Sequence, residues 1–265
     1  MHSDDAARSE AWLPTPRALP SGAALGWLAL GWRDFRAAPW ESLTFGLLVV
    51  VISYALTAIA LVAGGLLALY VLLGGFMLIA PLLAFALYDT SRQLARGEKP
   101  SVGHGLRAAW SNVANHALFA LVLLVILLVW ARAAAMVYVF FPADTRAGVT
   151  AMLPFLLVGT AVGAVFAGLV FMASTVSLPM MLDRRADVVS AVITSFRAVI
   201  ANPATMALWG GLIAALTAAG FATGFLGLAV AVPVLGYATW HCYAEAIPGA
   251  EAIDSAVEST PSVTE

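Results

Sequence analysis

Charged residues are scarce in this chain of 265 residues: 11% are Asp, Glu, Lys or Arg, whereas 62% are hydrophobic. Soluble domains usually carry about a quarter charged residues, so this excess of apolar surface predicts a protein embedded in lipid. The net charge of −2 argues against nucleic acid as a partner. Cys242 is the single cysteine, which excludes an intramolecular disulfide and a CxxC site.

Histidine is also rare, and catalytic motifs are missing. Beyond His2 the chain has only His104, His116 and His241. A haem or copper site in the membrane needs several histidines that face one another at mid-depth, and these are absent. No HExxH, GxSxG, Walker or GxGxxG motif occurs in a suitable context. We therefore predict no metal, no cofactor and no enzymatic activity.

Long apolar segments, by contrast, fill most of the chain. A helix needs about 20 apolar residues to cross the hydrocarbon core, and six segments qualify, near 43–62, 66–88, 115–138, 150–175, 204–222 and 224–246. Only Gly64-Gly65 separates the first pair, and only a turn around Thr223-Gly224 separates the last pair. The sequence thus predicts an all-α polytopic membrane protein whose six transmembrane helices form three antiparallel hairpins.

A short motif precedes each hairpin. Trp32-Arg33 is followed six residues after the arginine by Pro39, Phe196-Arg197 by Pro203, and Leu106-Arg107 by Val113. This spacing predicts one unit used three times, at about 21–100, 101–187 and 188–247. Because each unit starts and ends on the same side, the repeats are expected to be parallel.

The motif lies in segments with apolar residues at helical spacing. One face of each segment collects such residues: Leu25, Leu28, Trp32 and Phe35; Val102, Leu106, Ala109, Trp110 and Val113; and Val189, Val192, Ile193, Phe196 and Ile200. Ser21, Ser101 and Asp187 are suitable N-caps. We predict three cytoplasmic, amphipathic interfacial helices, each ending before Pro39, Pro203 or their equivalent.

The basic residues predict the orientation. Eleven lie in the N-terminal region and in the loops after the second and fourth segments, whereas Arg132 and Arg146 lie on the other side. By the positive-inside rule both termini are cytoplasmic. The membrane domain is expected over 21–247, between disordered tails at 1–20 and 248–265, the second of which is acidic.

Matching prolines lie in the second segment of each hairpin: Pro81, Pro179 and Pro233. A proline inside a helix leaves one carbonyl without its usual partner, so each is predicted to kink its helix. Eight residues after these prolines stand Asp89, Asp187 and His241.

Two sets of arginines leave alternatives open. Arg33, Arg107 and Arg197 either form a cytoplasmic ring that binds an anionic lipid or substrate, or serve as positive-inside anchors. Arg132 follows a long apolar run. It either faces the interior of the bundle or snorkels from the end of its span towards water.

The end of the third unit, from Pro233 through Trp240-His241 to Tyr243, together with Gly31–Phe35 and Pro39, carries a family resemblance. Over roughly residues 22–247 the chain resembles an uncharacterised family of bacterial integral membrane proteins that carry a domain of unknown function. Some members are labelled as cytochrome c oxidase subunits, although this chain lacks the histidines for that chemistry. The resemblance implies a bacterial inner-membrane location and no established activity.

The expected function is transport, or binding of a small molecule or lipid, within the membrane. The alternative is a non-catalytic structural or assembly factor for a membrane complex such as a respiratory one. Membrane lipids and a membrane-protein partner are the expected partners. Gly159-x-x-x-Gly163 and Gly220-x-x-x-Gly224 predict close helix packing, within the chain more than between chains.

Overall fold

The computed structural model describes residues 14–63, 83–111, 113–141, 149–184 and 186–249. Every regular element in these ranges is a helix, as the composition predicts. In chain order the helices are α1 (Ala23–Ala37), α2 (Pro39–Ala63), α3 (83–95), α4 (Val102–Ser111), α5 (Val113–Phe140), α6 (Val149–Ser174), α7 (Ser177–Arg184), α8 (Val188–Ala201), α9 (Pro203–Ala222) and α10 (Leu228–Ala246).

Four helical segments of the described chain are long and apolar enough to cross a membrane. These are Pro39–Val62, Val113–Phe140, Met152–Arg184 and Pro203–Ala222. They coincide with four of the predicted segments, which are thereby confirmed in length and composition. The predicted segment 66–88 lies mostly outside the described residues. It stays a prediction, as does the grouping of six spans into three hairpins.

The last predicted segment, 224–246, differs from the other four. Its helix α10 has 19 residues and is not among the four candidate spans, because its last third carries polar residues such as His241 and Glu245. More than half of its residues are buried, since α10 packs against α1, α2 and α9. It is the central helix of the described fold.

The three predicted interfacial segments are helices with the expected ends. α1 ends at Ala37, two residues before Pro39, and α8 ends at Ala201, two residues before Pro203, which begins α9. A proline cannot continue the preceding helix, but its missing N–H is no loss in the first turn of the next one. α4 likewise ends just before α5, which begins at Val113.

Each of α1, α4 and α8 exposes part of its apolar face, while other residues of these faces, such as Leu28, Val102 and Val192, pack against the core. Exposed side chains on these helices include Leu25, Trp32, Leu106, Trp110, Val189, Ile193 and Ile200. The buried faces carry mostly small residues, for example Ala24, Gly31, Gly105, Ala191, Ser195 and Ala198, although α1 also buries Trp27 and Asp34. An outward apolar face on a short helix beside a membrane suits contact with the lipid interface.

One of the predicted N-caps is confirmed in its hydrogen bonding. The carboxylate of Asp187 accepts a hydrogen bond of 3.0 Å from the backbone N–H of Ser190, which lowers the pKa of Asp187 from its ordinary value. Ser101 lies directly before α4. Ser21 was the wrong choice for α1, whose N-cap is Gly22 and has no side-chain hydrogen bond.

Residues 14–20, which the composition assigns to a disordered tail, lie instead against the ends of α8 and α10. The N–H of Arg17 donates to the carbonyl of Ala246 at 2.8 Å. The side chain of Asn202 accepts from the N–H of Leu19 and donates to the carbonyl of Arg17. The expected disorder therefore does not extend to residue 20. Asn202 is also left without a hydrogen bond that caps α9.

The predicted turn between α9 and α10 is confirmed at residues 223–227. Gly224 has a φ of 62°, a left-handed conformation that glycine adopts without the Cβ penalty of other residues. Its carbonyl accepts a hydrogen bond of 2.6 Å from the hydroxyl of Tyr54 in α2. This contact places the second half of α2 at the same end of the bundle as the turn.

Close glycine contacts hold the helices around α10. A Cβ on Gly46 of α2 would overlap the backbone of Ala229, and one on Gly31 of α1 would approach the backbone of Val234 and Ala238. In a bilayer the lipid tails are as apolar as a protein core, so helices associate through such close packing and through hydrogen bonds. α1 and α2 are thereby fixed on α10.

Candidate functional site

A buried carboxyl group joins three helices near the ends of α1, α3 and α10. Asp34 of α1 has a side chain that is only 4% exposed. Its Oδ2 accepts a hydrogen bond of 2.5 Å from the hydroxyl of Ser91 in α3, and Nε2 of His241 in α10 lies 2.7 Å from the same oxygen. Arg33 lies 3.6 Å from Oδ1. A buried carboxyl is expensive unless it is paired and hydrogen-bonded, and here it is both.

A second buried carboxyl lies two residues before Ser91. The side chain of Asp89 is fully buried. Arg92 donates to its Oδ1 at 2.7 Å, Gln93 donates to its Oδ2 at 2.7 Å, and Nδ1 of His104 in α4 lies 2.6 Å from Oδ2. The amide oxygen of Gln93 also accepts from the N–H of Ser101. This cluster fixes α4 to α3.

Two further hydrogen bonds link α7 to the neighbouring helices. The hydroxyl of Tyr243 in α10 donates to Oδ2 of Asp183 at 2.6 Å, and Arg92 of α3 donates to the carbonyl of Leu182 at 3.4 Å. These two bonds join α7 to α10 and to α3, and Asp34 of α1 joins α3 to α10. We call the Asp34, Asp89 and Asp183 groups together the polar clasp.

A packed aromatic core lies beside the polar clasp. Phe85, Phe119, Trp240 and Tyr243 are buried in one cluster with methionines of α7. Trp240 is fully buried, and its indole N–H makes no hydrogen bond with a described residue. Trp240 and His241, which the sequence singled out together, therefore have different surroundings: Trp240 packs in the core, and His241 contacts Asp34.

The arginines of the repeated motif do not enter this group of buried residues. Arg33, Arg107 and Arg197 all have exposed side chains, and only Arg33 approaches the polar clasp. Arg132 is exposed as well, about 28 Å along α5 from Val113 at 1.5 Å per residue. This exposure supports the alternative in which Arg132 snorkels towards water rather than facing the interior of the bundle.

The prolines lie at different kinds of positions. Pro39 and Pro203 begin α2 and α9. Pro179 is buried in the first turn of α7, four residues after Thr175, where the helix breaks between α6 and α7. A break is expected there because Pro179 has no N–H for the carbonyl of Thr175. Pro233 lies inside α10, and Pro81 lies outside the described residues.

A large apolar cleft runs between α6 and α9. Its volume is about 870 Å³. The floor and walls are formed by Ala167, Gly168, Phe171 and Met172 of α6, the end of α8 at Val199 and Ile200, and α9 from Pro203 to Phe221. Small residues such as Gly210 and Ala214 widen it. α6 and α8 are in contact near one end of the cleft, and the cleft opens sideways along α6 and α9.

Two smaller clefts are also apolar. One, of about 430 Å³, lies between α9 and α10 above Leu28 and Trp32 of α1. The other, of about 290 Å³, lies between α5 and α6 and includes Gly159 and Gly163. A Cβ on either of these two glycines would meet nothing within 4 Å, so they do not pack closely against another described helix. Gly220, in contrast, packs against Leu228 as the spacing predicted.

The acidic groups of the polar clasp are paired with neighbouring side chains. Among the described residues no three His, Cys, Asp or Glu side chains come together as they would around a metal ion. The paired carboxyl groups of Asp34 and Asp89 are enclosed by their partners. Asp89 and His241 share their spacing after a proline with Asp187, which caps α8, so the spacing alone does not predict the polar clasp. Ser91 and His104 carried no such signal.

Comparison with known proteins supports the membrane assignment. No curated protein and no solved structure matches the chain. A family model described as "Predicted integral membrane protein (DUF2189)" matches residues 68–183, which end within α7. The motifs that carried the resemblance, around Arg33 and Trp240, lie outside this range, but the predicted kind of family is confirmed. The chain is an integral membrane protein that over residues 68–183 matches this family of unknown function.

Proposed function

We propose that this protein binds the acyl chain of a membrane lipid in the cleft between α6 and α9. The observation that carries the proposal is the cleft itself, an apolar groove of about 870 Å³ between two membrane-length helices. Ligand sites commonly have volumes of about 300–1,000 Å³ and mostly apolar walls. Bilayer lipid is the apolar molecule that such a sideways opening meets.

The length of the cleft also suits an acyl chain. Pro203 and Phe221 lie at its two ends on α9, and at 1.5 Å per residue they are about 27 Å apart. The hydrocarbon core of a bilayer is about 30 Å thick. A chain that enters from either leaflet therefore finds an apolar wall over its whole length.

Binding is favoured over transport by the packing of the inner helices. The described ends of α3, α7 and α10 meet in the aromatic core and are joined by the polar clasp. A passage there would have to break buried hydrogen bonds, which are costly to leave unmade. The proposed activity is therefore non-catalytic lipid binding at the side of the protein.

The test fills the cleft with one side chain. Gly210 lines the cleft opposite the ring of Phe171, whose nearest atom is 3.7 Å from the Cβ position. Gly210→Leu should reduce the lipid retained by full-length protein in mild detergent by about tenfold, the effect of losing 1.4 kcal/mol of binding. Native mass spectrometry of the purified protein, titrated with one phospholipid, measures this retention.

The neighbouring glycine supplies the control. Gly211 does not line the cleft, and a Cβ there would meet nothing within 4 Å. Gly211→Leu adds the same side chain to the same helix and should leave lipid retention unchanged. Equal retention in both variants would overturn the proposal.

We also infer that the chain consists of three parallel units. Two residues before each motif arginine stands a small buried residue that contacts the second segment of a predicted hairpin. Gly31 packs on α10, Gly105 packs on Ala86 of α3, and Ser195 accepts a hydrogen bond from the N–H of Val176. The recurrence of one contact at one position of the motif supports the repeat.

A second recurrent contact supports the same arrangement. Ser42, three residues after Pro39, lies 2.8 Å from the hydroxyl of Tyr237, four residues after Pro233. His116, three residues after Val113, meets the ring of Phe85, four residues after Pro81, with centroids 3.7 Å apart. The first contact joins the third unit to the first, and the second joins the first unit to the second in the same way, which supports a cyclic arrangement.

The proposed location is the bacterial inner membrane with both termini in the cytoplasm. The distribution of eleven basic residues against two supports the orientation. A cysteine at Ser21 and one at Thr223, each in a Cys242→Ala background, would test it by labelling with a membrane-impermeant maleimide. Labelling of Thr223→Cys but not Ser21→Cys in intact cells is expected, and the reverse would overturn the orientation.

A scaffold role is the second candidate, and the glycine face of α6 favours it. Gly159 and Gly163 are spaced for close helix contact but meet no described neighbour within 4 Å. A transmembrane helix of a partner protein would fit there. Gly163→Leu should then abolish a stoichiometric complex seen by mild-detergent purification and leave lipid retention intact, whereas Gly210→Leu should do the opposite.

A further inference from the structure

We infer that the lipid in the cleft between α6 and α9 is an anionic phospholipid, and that Arg197 binds its headgroup. The inference rests on the proposed lipid binding and names the class of lipid. Ile200, at the end of α8, lines the cleft. Arg197 lies three residues earlier, and residues three apart share one face of a helix. The arginine therefore stands beside the opening of the cleft.

The surroundings of Arg197 suit a headgroup. It lies on the exposed stripe of α8 between Ile193, which is 43% exposed, and Ile200, which is 68% exposed. Such a stripe lies at the boundary between acyl chains and headgroups when the helix rests on a membrane. The arginine side chain is long enough to keep its charge in the headgroup layer while its stem covers apolar surface.

The charge of Arg197 is not balanced within the described protein. Its side chain is exposed and makes no hydrogen bond or ion pair with a described residue. Asp187, the acid of the same helix, is ten residues away and caps its own first turn. A guanidinium can bind a phosphate with two parallel hydrogen bonds. A phosphate group that reaches this opening thus finds an available partner.

The net charge of the headgroup determines which class of phospholipid Arg197 favours. A zwitterionic headgroup brings its own cation, which offsets the attraction between its phosphate and Arg197. An anionic headgroup has no such cation. One basic residue near an anionic membrane surface corresponds to about a fivefold preference. The N-terminus of α9 lies at the same opening, since Pro203 lines the cleft, and adds a small attraction of the same sign.

The other two motif arginines differ in ways that make the comparison useful. Arg33 lies 3.6 Å from the carboxyl of Asp34, so part of its charge is balanced. Arg107 is exposed on α4, and none of the three clefts is lined by α4. Arg107 is thus a matched control: the same residue type, in the same motif, outside the three clefts described above.

The test compares two lipids with identical acyl chains, phosphatidylglycerol and phosphatidylcholine, on full-length protein by native mass spectrometry. Wild-type protein should retain phosphatidylglycerol about fivefold better. Arg197→Gln should abolish the preference and leave phosphatidylcholine retention unchanged. Arg197→Lys should keep most of the preference, and Arg107→Gln all of it. An unchanged preference in Arg197→Gln, or an equal loss in Arg107→Gln, would overturn the inference.

Gly210→Leu separates this inference from the proposed function. If that variant loses both lipids while Arg197→Gln keeps the wild-type preference, lipid binding stands and the role of Arg197 fails. If Gly210→Leu retains both lipids like wild type, the cleft is not the site and both proposals fail.

Discussion

α10 and α6 are both second helices of a predicted hairpin, yet they lie in opposite surroundings. More than half of α10 is buried, whereas the most apolar stretch of the span that contains α6, Met152–Arg184, has no buried residue. α10 carries Tyr237, His241 and Tyr243, and each of these side chains has a hydrogen-bonding partner. The exposed stretch of α6 carries apolar and small residues with few polar atoms.

The difference shows how a membrane protein distributes its polar groups. Apolar burial contributes little in lipid, so a central helix is held by hydrogen bonds and by close glycine contacts. A helix that faces lipid needs only apolar side chains. A helix with more polar residues is therefore, in this fold, the better candidate for the protein interior.

The largest expected effect comes from breaking the polar clasp at α10. Asp34→Leu removes the carboxyl between Ser91 and His241 and leaves both without it. Breaking one partner of such a buried pair costs about 3–5 kcal/mol. We expect a large fall in the melting temperature of the detergent-purified protein. Asp34→Asn keeps a hydrogen-bond acceptor, so its melting temperature should fall less. Equal losses in the two variants would show that the hydrogen bonds are not what stabilises this site.

The second largest effect is expected where a glycine packs closely against α10, and no such effect is expected on α6. Gly46→Leu inserts a side chain where the backbone of Ala229 in α10 leaves no space, and overpacking typically costs about 1–3 kcal/mol or more. Gly163→Leu makes the same change on α6, where the Cβ meets nothing within 4 Å. Thermal unfolding should show a loss for Gly46→Leu only. Similar losses in both would mean that α6 is packed as closely as α10.

A smaller effect is expected outside the four candidate spans, at the cap of α8. Asp187→Ala removes the hydrogen bond to the N–H of Ser190 and should cost about 1 kcal/mol at pH 7. That bond lowers the pKa of Asp187 in the folded protein, so the stability it contributes is present above about pH 4. It is lost as the pH falls through the lowered folded pKa.

The measurement is the difference in unfolding free energy between wild-type protein and the variant at pH 7 and pH 3. The difference should shrink at pH 3. Asp187→Asn retains a side-chain oxygen for the cap and should show neither the loss nor the pH dependence. A loss in Asp187→Ala that stays constant with pH would contradict the role of the ionised carboxylate.

The smallest effect is expected at Arg132, which lies on α5, far along the helix from Val113. Because its side chain is exposed, Arg132→Gln should change stability by no more than about 0.5 kcal/mol. Melting of the purified variant checks this. A loss of several kcal/mol of stability would instead support the alternative in which Arg132 faces the interior of the bundle.

Much of the local structure could be predicted. The helix ends before Pro39 and Pro203 follow from the missing N–H of proline, and the cap at Asp187 follows from the orphan donors of a first helical turn. The turn at Gly224 follows from its conformational freedom. The order of residues 14–20 could not be predicted, because it depends on Asn202, about 180 positions later in the chain.

The sequence by itself determined that this is a helical membrane protein, where most of its helices begin and end, and how long its apolar segments are. These properties depend on groups a few residues apart. Only the tertiary structure decided that Asp34 meets His241, 207 positions away, and that α6 and α9 leave a cleft between them. Such contacts depend on how the helices cross, and the crossing arises from packing across the whole bundle rather than from any local pattern.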